Sequence, residues 1–315
     1  MKKVLWLLLA AVLALGVAAC GDDLEEDSGS GSGTSTNESS SDDGAAKPSL
    51  TVGSANFPEN VVLAEIYAGA LAAKDFEVEK KLNVGSREAI FPAMERGDIS
   101  VLPEYSGALL SYLTEAKSDA KEINAQVDEI KANLPDSLTV LTPSAAEDKD
   151  TITCNKETVD KFGLTSIDDL AEVGDQITIG GPPEFAERAG FGIKALKRVY
   201  NAEFKKFQPL DVAGPLTVAA LKDNKVQCAN LFSTQSAIPA NGFVTLEDPK
   251  GLVEAEAVLP LISKEAATPE VTEVLDGVSA KLTTENLKAL VARVEVDKDD
   301  AETVAEDFLG EQGLN

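Results

Sequence analysis

From Leu50 onward, strand-like runs alternate with amphipathic helical stretches, and this alternation constrains the fold more than any other feature of the chain. LTVG leads into a helical pattern from about Pro58 to Lys74; EVEKKLNVG reads as a strand, REAIFPAMERG as a helix and DISVLPEY as a strand. Helical periodicity follows over 106–115 and 119–133, and TITCN, ITIGG, VQCANLF and FVTLED are further strands. TPEVTEVLDGVSAKL, TTENLKALVARV and DAETVAEDFLGEQG close the chain as helical segments. Short strands interleaved with helices predict an α/β fold, with mainly parallel sheets covered by helices on both faces.

In such sheets ligands bind beyond the carboxyl ends of strands, where loops enter helices. Three segments share that grammar: SANFPEN after LTVG, GSREA after KKLNV, and PEYSG after DISVL. Each puts small or polar residues at a helix start, where free N–H groups and the helix dipole receive a polar ligand. Ser54, Asn56, Ser86 and Tyr105 are therefore candidate ligand contacts. The plainer reading is capping, since Asn56 and Glu59 have the spacing of a capping box.

At the other end, Lys2 and Lys3 precede an apolar run from Val4 to Ala14, and Val17, Ala18 and Ala19 precede Cys20. That is the pattern of a secretory signal over residues 1–19, too short for a comfortable membrane span. Val-Ala-Ala-Cys resembles the lipobox of bacterial lipoproteins, in which Cys20 would be lipidated; an ordinary signal that happens to carry a cysteine is the alternative. Residues 20–48 are rich in Ser, Gly, Asp and Glu and read as a disordered acidic leash. Together these segments predict an exported protein, lipid-anchored through Cys20 to the outer face of the cell membrane. Residues 49–315 remain for one large domain or two lobes.

The net charge of −26 argues against nucleic acid, which needs basic surface. There is no histidine, which removes imidazole acid–base chemistry, His-based metal sites and His-activated nucleophiles. No glycine-rich phosphate loop of the usual spacings is present, and no cofactor or metal is expected. A carboxylate-based hydrolase of the cell envelope stays open as an alternative. Cys154 and Cys228 form an even pair in strand-like runs of an exported chain, hence a candidate disulfide; two buried thiols are the other reading.

GSANFPENVVLAEIYAGAL, LNVGSREAIFPAMERGDISVLPEYSGALL, GGPPEFAER and the ending VAEDFLGEQGL resemble the substrate-binding lipoproteins of osmoprotectant ABC transporters, which take up glycine betaine, choline or carnitine. The resemblance covers nearly all of 49–315. It implies a two-lobed periplasmic-binding-protein-like fold of type 2 with a discontinuous first lobe: 49–146 in lobe one, 147–235 in lobe two, and 236–315 returning to lobe one. Crossings would fall near Thr142–Asp150 and Ser233–Pro239, with Cys154 and Cys228 both in lobe two, where a bridge between them is plausible. The implied protein is a monomer that captures a small molecule between its lobes and delivers it to membrane permease subunits. A ligand-less surface interaction protein on the same fold is a further alternative.

In that family a cage of tyrosines holds the ligand's quaternary ammonium by cation–π attraction. Only Tyr105 carries over plainly. Where relatives have Tyr-Ser-Thr-Asp, this chain has Phe232, Ser233, Thr234 and Gln235; two further tyrosine positions fall on Asp150 and Glu256, and polar positions fall on Ala55 and Ala108. The implied pocket has lost rings and gained carboxylates, which attract a cation but repel the carboxylate of a betaine. That fits choline or another quaternary amine, or a hydroxylated neutral ligand, and adds Asp150, Phe232, Thr234, Gln235 and Glu256 to the candidates. Tyr67, Tyr112 and Tyr200 sit at helical spacing among apolar residues and read as core.

Overall fold

A computed structural model describes Lys47, residues 49–253 and residues 256–315. The leader, Cys20 and the leash apart from Lys47 lie outside the described residues.

Two five-stranded sheets organise the chain. The first has strands β1 (Leu50–Ala55), β2 (Val78–Gly85), β3 (Val101–Tyr105) and β4 (Leu138–Val140), and the second has β5 (Asp150–Cys154), β6 (Thr178–Gly181), β7 (Lys206–Pro209), β8 (Cys228–Phe232) and β9 (Val244–Thr245). The last strand, β10 (Val258–Ser263), returns to the first sheet. Strand orders are β2-β1-β3-β10-β4 and β7-β6-β8-β5-β9. This is the two-lobed fold with a discontinuous first lobe.

The sheets are mixed, which corrects the expectation of mainly parallel ones. β1 runs parallel to β2 and β3, while β10 is antiparallel to β3 and β4. In the second sheet β6 is parallel to β7 and β8, while β5 is antiparallel to β8 and β9. The physical reason is the crossings: β5 and β10 arrive from the other lobe and enter against the direction of the strands they join. β10 was not legible as a strand because Pro260 interrupts it. Pro260 lies opposite Pro103 in the register, and neither proline has an N–H to donate, so the pair occupies a rung where none is needed.

The outgoing and returning segments pair with each other between the lobes. Ser144 donates to the Val258 carbonyl at 2.8 Å, Val258 to Ala146 at 2.9 Å, and Asp148 to Glu256 at 3.2 Å. The boundary expected at residue 236 is wrong. The loop after Phe232 approaches lobe one, but the chain then forms β9, whose Val244 pairs with Cys154 and Thr245 with Thr153. Ile167 also donates to the Glu247 carbonyl, so lobe two extends at least that far and the return runs near Glu256. The polar FSTQ turn has the composition of a crossing, yet the edge of the second sheet still needed a strand.

In lobe one, helix α1 (Pro58–Ala72) is buried on nearly every side, with Val62, Leu63, Ile66 and Leu71 at 0% exposure. Each such side chain stabilises by about 1.5–3 kcal/mol relative to exposure. The C-terminal helix Ala301–Gln312 covers α1, and Gly69 permits the approach: a Cβ there would lie 2.7 Å from Leu309 Cδ1. Helices α2 (Arg87–Glu95), α3 (Ser106–Thr114) and α4 (Ile123–Asn133) complete the other face of the sheet with Ile90, Met94, Leu109 and Ile130. In lobe two, Cys154 and Cys228 stand opposite each other on β5 and β8 and are disulfide-bonded.

Candidate ligand-binding site

The loops leaving β1, β2 and β3 meet the crossings and lobe two around a cavity of about 50 Å³. At roughly 10–15 Å³ per water, it has room for only a few water molecules. It adjoins a wider cavity of about 470 Å³ that shares Arg87, Ala108, Asp150, Arg188 and Glu256 with it. The site thus has a narrow floor and a broad mouth.

One wall is aromatic. Phe57, the residue before Pro58, packs its ring 4.7 Å from Phe232 and 6.1 Å from Tyr105. Pro58 starts α1 without a donor to satisfy, and Asn60 stitches the strand ends behind it: its Oδ1 accepts from Ala55 at 2.7 Å and its Nδ2 donates to Pro103 at 3.0 Å. Tyr105 ends β3 and sends its hydroxyl away from the cavity, donating to Glu59 at 2.8 Å.

The opposite wall is charged. Arg87 opens α2 and binds Glu104 through two parallel bonds of 2.8 and 2.7 Å. Burial pulls the guanidinium down, and the Glu104 charge and hydrogen bonds outweigh it, so it is held more firmly protonated than usual. Arg188 of lobe two reaches Glu88 of lobe one with Nε–Oε1 at 3.0 Å. Burial pushes Glu88 up, but the hydrogen bond and charge of Arg188 prevail and hold it at about 2.

Asp148, Asp150 and Glu256 carry no such pairing. Asp148 Oδ1 accepts from Lys149 N, Ser233 Oγ and Thr234 N at 2.9, 3.0 and 3.1 Å, and burial still pushes its carboxyl up to about 7. Burial also raises Asp150, which accepts from Asn230 at 2.7 Å. Glu256 is raised by burial and by the neighbouring Asp150 charge. Among the described residues, no three acidic or sulfur side chains are placed to hold one metal ion.

Ser86, Tyr105, Asp150, Phe232 and Glu256, expected from sequence, line this one cavity. The other candidates stand away from it. Ser54 is fully buried and its Oγ accepts from Asn83 N at 2.8 Å, joining β1 to β2. Asn56 is exposed and continues the strand pairing through its own N–H to Gly85; it does not cap α1, whose cap position is Phe57. Glu59 completes no capping box and is buried beside Tyr105. Thr234 donates to Glu59, and Gln235 to Ala213 O and Glu295, so both brace the crossing behind the cavity. Tyr67 and Tyr200 are core, but Tyr112 is 36% exposed, packs its ring tilted against Phe91 at 5.2 Å and lines the broad mouth.

Sequence reasoning missed Phe57, Arg87, Glu104, Asp148 and Arg188. For Glu104 a signal existed, a carboxylate inside an apolar strand run. For the others, no local pattern separates them from a surface charge or a core ring.

The sequence profile of the substrate-binding domain of ABC-type glycine betaine transport systems matches residues 48–311. The chain belongs to this family. Among relatives of this substrate-binding domain, the glycine betaine-binding protein YehZ of Escherichia coli is 29% identical over 283 residues, covering 85% of this chain and 92% of its own. The ergothioneine transport permease/ergothioneine binding protein EgtU of Helicobacter pylori is 24% identical over 270 residues, covering 84% of this chain and 48% of its own. A crystal structure of a glycine betaine/carnitine/choline ABC transporter protein superposes with a TM-score of 0.64 at 19% identity, over 84% of this chain and 99% of that one, a likeness of fold. The hydrolase alternative finds no support in these comparisons. Phe57, Tyr105 and Phe232 line the same cavity as Asp148, Asp150 and Glu256.

Proposed function

We propose that this chain is the lipid-anchored receptor of an ABC importer and that it captures a small cation lacking a carboxylate, choline or another amine, between its lobes. Lobe closure would trap the solute at the crossings and present it to the permease. One observation carries the ligand assignment: Arg87 is ion-paired with Glu104 and Arg188 with Glu88, while Asp148, Asp150 and Glu256 line the cavity without an ion pair of their own. Burial raises all three, and a positive ligand draws them into the ionised form, which repels the carboxylate of a betaine. Tyr105 and Phe232, with Phe57, supply ring faces for the carbon skeleton. A polyol donating to Asp150 and Glu256 is the second reading, favoured by the same carboxylates.

A melting-shift screen of amines, polyols and glycine betaine tests this. A true ligand at a hundredfold excess over Kd stabilises by roughly 2.7 kcal/mol. Cations are expected to raise the melting temperature and glycine betaine is not; a larger shift with glycine betaine overturns the assignment. For the anchor, Cys20→Ala should release the protein from the membrane fraction. If that variant still pellets with membranes and the native chain carries no acyl mass, the anchor reading falls.

A further inference from the structure

The carboxylates of the cavity ask for more than positive charge. Glu256 is 6% exposed and lines both cavities, and among the described residues no lysine or arginine lies within ion-pair distance of it. The backbone N–H of Ala108 lowers its carboxyl slightly, the weakest of the influences on it. Burial raises this carboxyl, and a bound cation favours its ionised form, in which it has roughly four acceptor positions, most of them open to the cavity. Asp148 and Asp150 each receive their donors on Oδ1. Buried acceptors left dry cost about 1–3 kcal/mol each, more when charged.

A quaternary ammonium answers the charge and not the lone pairs, because it has no N–H. A primary or secondary ammonium answers both, through charge-assisted bonds roughly twice as strong as neutral ones. Arg87 and Arg188 act on Asp150 by charge, and Arg87 on Glu256, but neither forms an ion pair with them: Arg87 spends two N–H groups on Glu104 and Arg188 two on Glu88.

We infer that the site selects an ammonium cation that keeps its N–H groups, a primary or secondary amine, over its fully methylated counterpart. This rests on the proposal of a cationic ligand and narrows it. The broad mouth leaves room for a second amino or hydroxyl group at the far end of the solute.

The test is calorimetric titration of the full-length protein with two matched series. One runs from ethanolamine through its mono- and dimethyl forms to choline; the other compares putrescine with its bis-trimethylammonium analogue. The expected result is a Kd at least about tenfold tighter for the amine than for its permethylated partner, in either series. Glu256→Gln, checked for folding by its melting curve, should weaken the amine and leave the permethylated compound nearly unchanged. Should that variant melt low, Asp150→Asn takes its place with the same expectation. Equal or tighter binding of the permethylated compounds overturns the inference and leaves the cation proposal standing. An undiminished preference for the amine in both folded variants overturns the assignment to these carboxylates. If no amine or ammonium binds at millimolar concentration, the inference and the cation proposal fall together.

Discussion

Tyr105 donates its phenolic hydrogen to Glu59 at 2.8 Å, across 46 residues of sequence, at the point where β3 meets α1. The same carboxylate accepts the Thr234 hydroxyl from the loop after β8. One buried acid therefore ties the floor of lobe one to lobe two, while the Tyr105 ring stays free to face the cavity. Burial and the neighbouring Asp148 charge raise the Glu59 carboxyl well above its ordinary range.

Two changes at Tyr105 separate these roles. Tyr105→Phe keeps the ring and should lower stability by about 1–2 kcal/mol, the cost of a lost bond to a buried acid, with ligand affinity nearly unchanged. Tyr105→Ala removes the ring face as well and should weaken a bound cation at least about tenfold. Denaturant melts and calorimetry read the two effects; unchanged affinity in Tyr105→Ala would place the ligand elsewhere.

Asp148 makes stability depend on pH. Burial raises its folded-state value from 3.8 to about 7. Below the unfolded value both states hold the proton and the residue costs nothing. Between the two values only the folded state holds it, so stability falls as pH rises, levelling off above about pH 7. The loss is on the order of 4 kcal/mol. Asp148→Asn should be more stable than the native protein at about pH 8 and equal to it near pH 4. A native melting temperature that rises from pH 5 to 7 by no less than that of the variant contradicts this account.

Gly190 lies where lobe two meets α3: a Cβ there would be 1.9 Å from Ser111 Oγ and 3.0 Å from its Cβ. Gly190→Val should hold the lobes apart, weaken ligand binding about tenfold and leave the ligand-free melting temperature unchanged. Scattering in solution should show a larger radius of gyration with ligand present than the native protein has. Equal affinity and equal radius would mean that this contact does not limit closure.

The Cys154–Cys228 bridge spans 74 residues of sequence. In the chain-entropy account, closing a loop of that length stabilises by about 4 kcal/mol. Non-reducing mass spectrometry should find the linked peptides, and Cys154→Ala with Cys228→Ala should lower the denaturation midpoint accordingly. Two alkylatable thiols in the native protein would be the contrary result.

Local patterns in the chain determined the strand–helix alternation, the strand-end loops and thereby Ser86 and Tyr105. The resemblance of whole segments to known receptors added Asp150, Phe232 and Glu256. These features were legible because periodicity and turn chemistry act over a few residues. Only the tertiary structure decided which charges are buried and with whom. Arg188 finds Glu88 across 100 residues and Thr234 finds Glu59 across 175, and in a chain with 54 acidic residues nothing local separates those partners from solvated surface. The same holds for the return crossing, whose strand is disguised by Pro260 and declared only by its pairing with β3. Burial and pairing are properties of packing between distant segments, so the charge pattern of the site exists only once the two lobes are folded against each other.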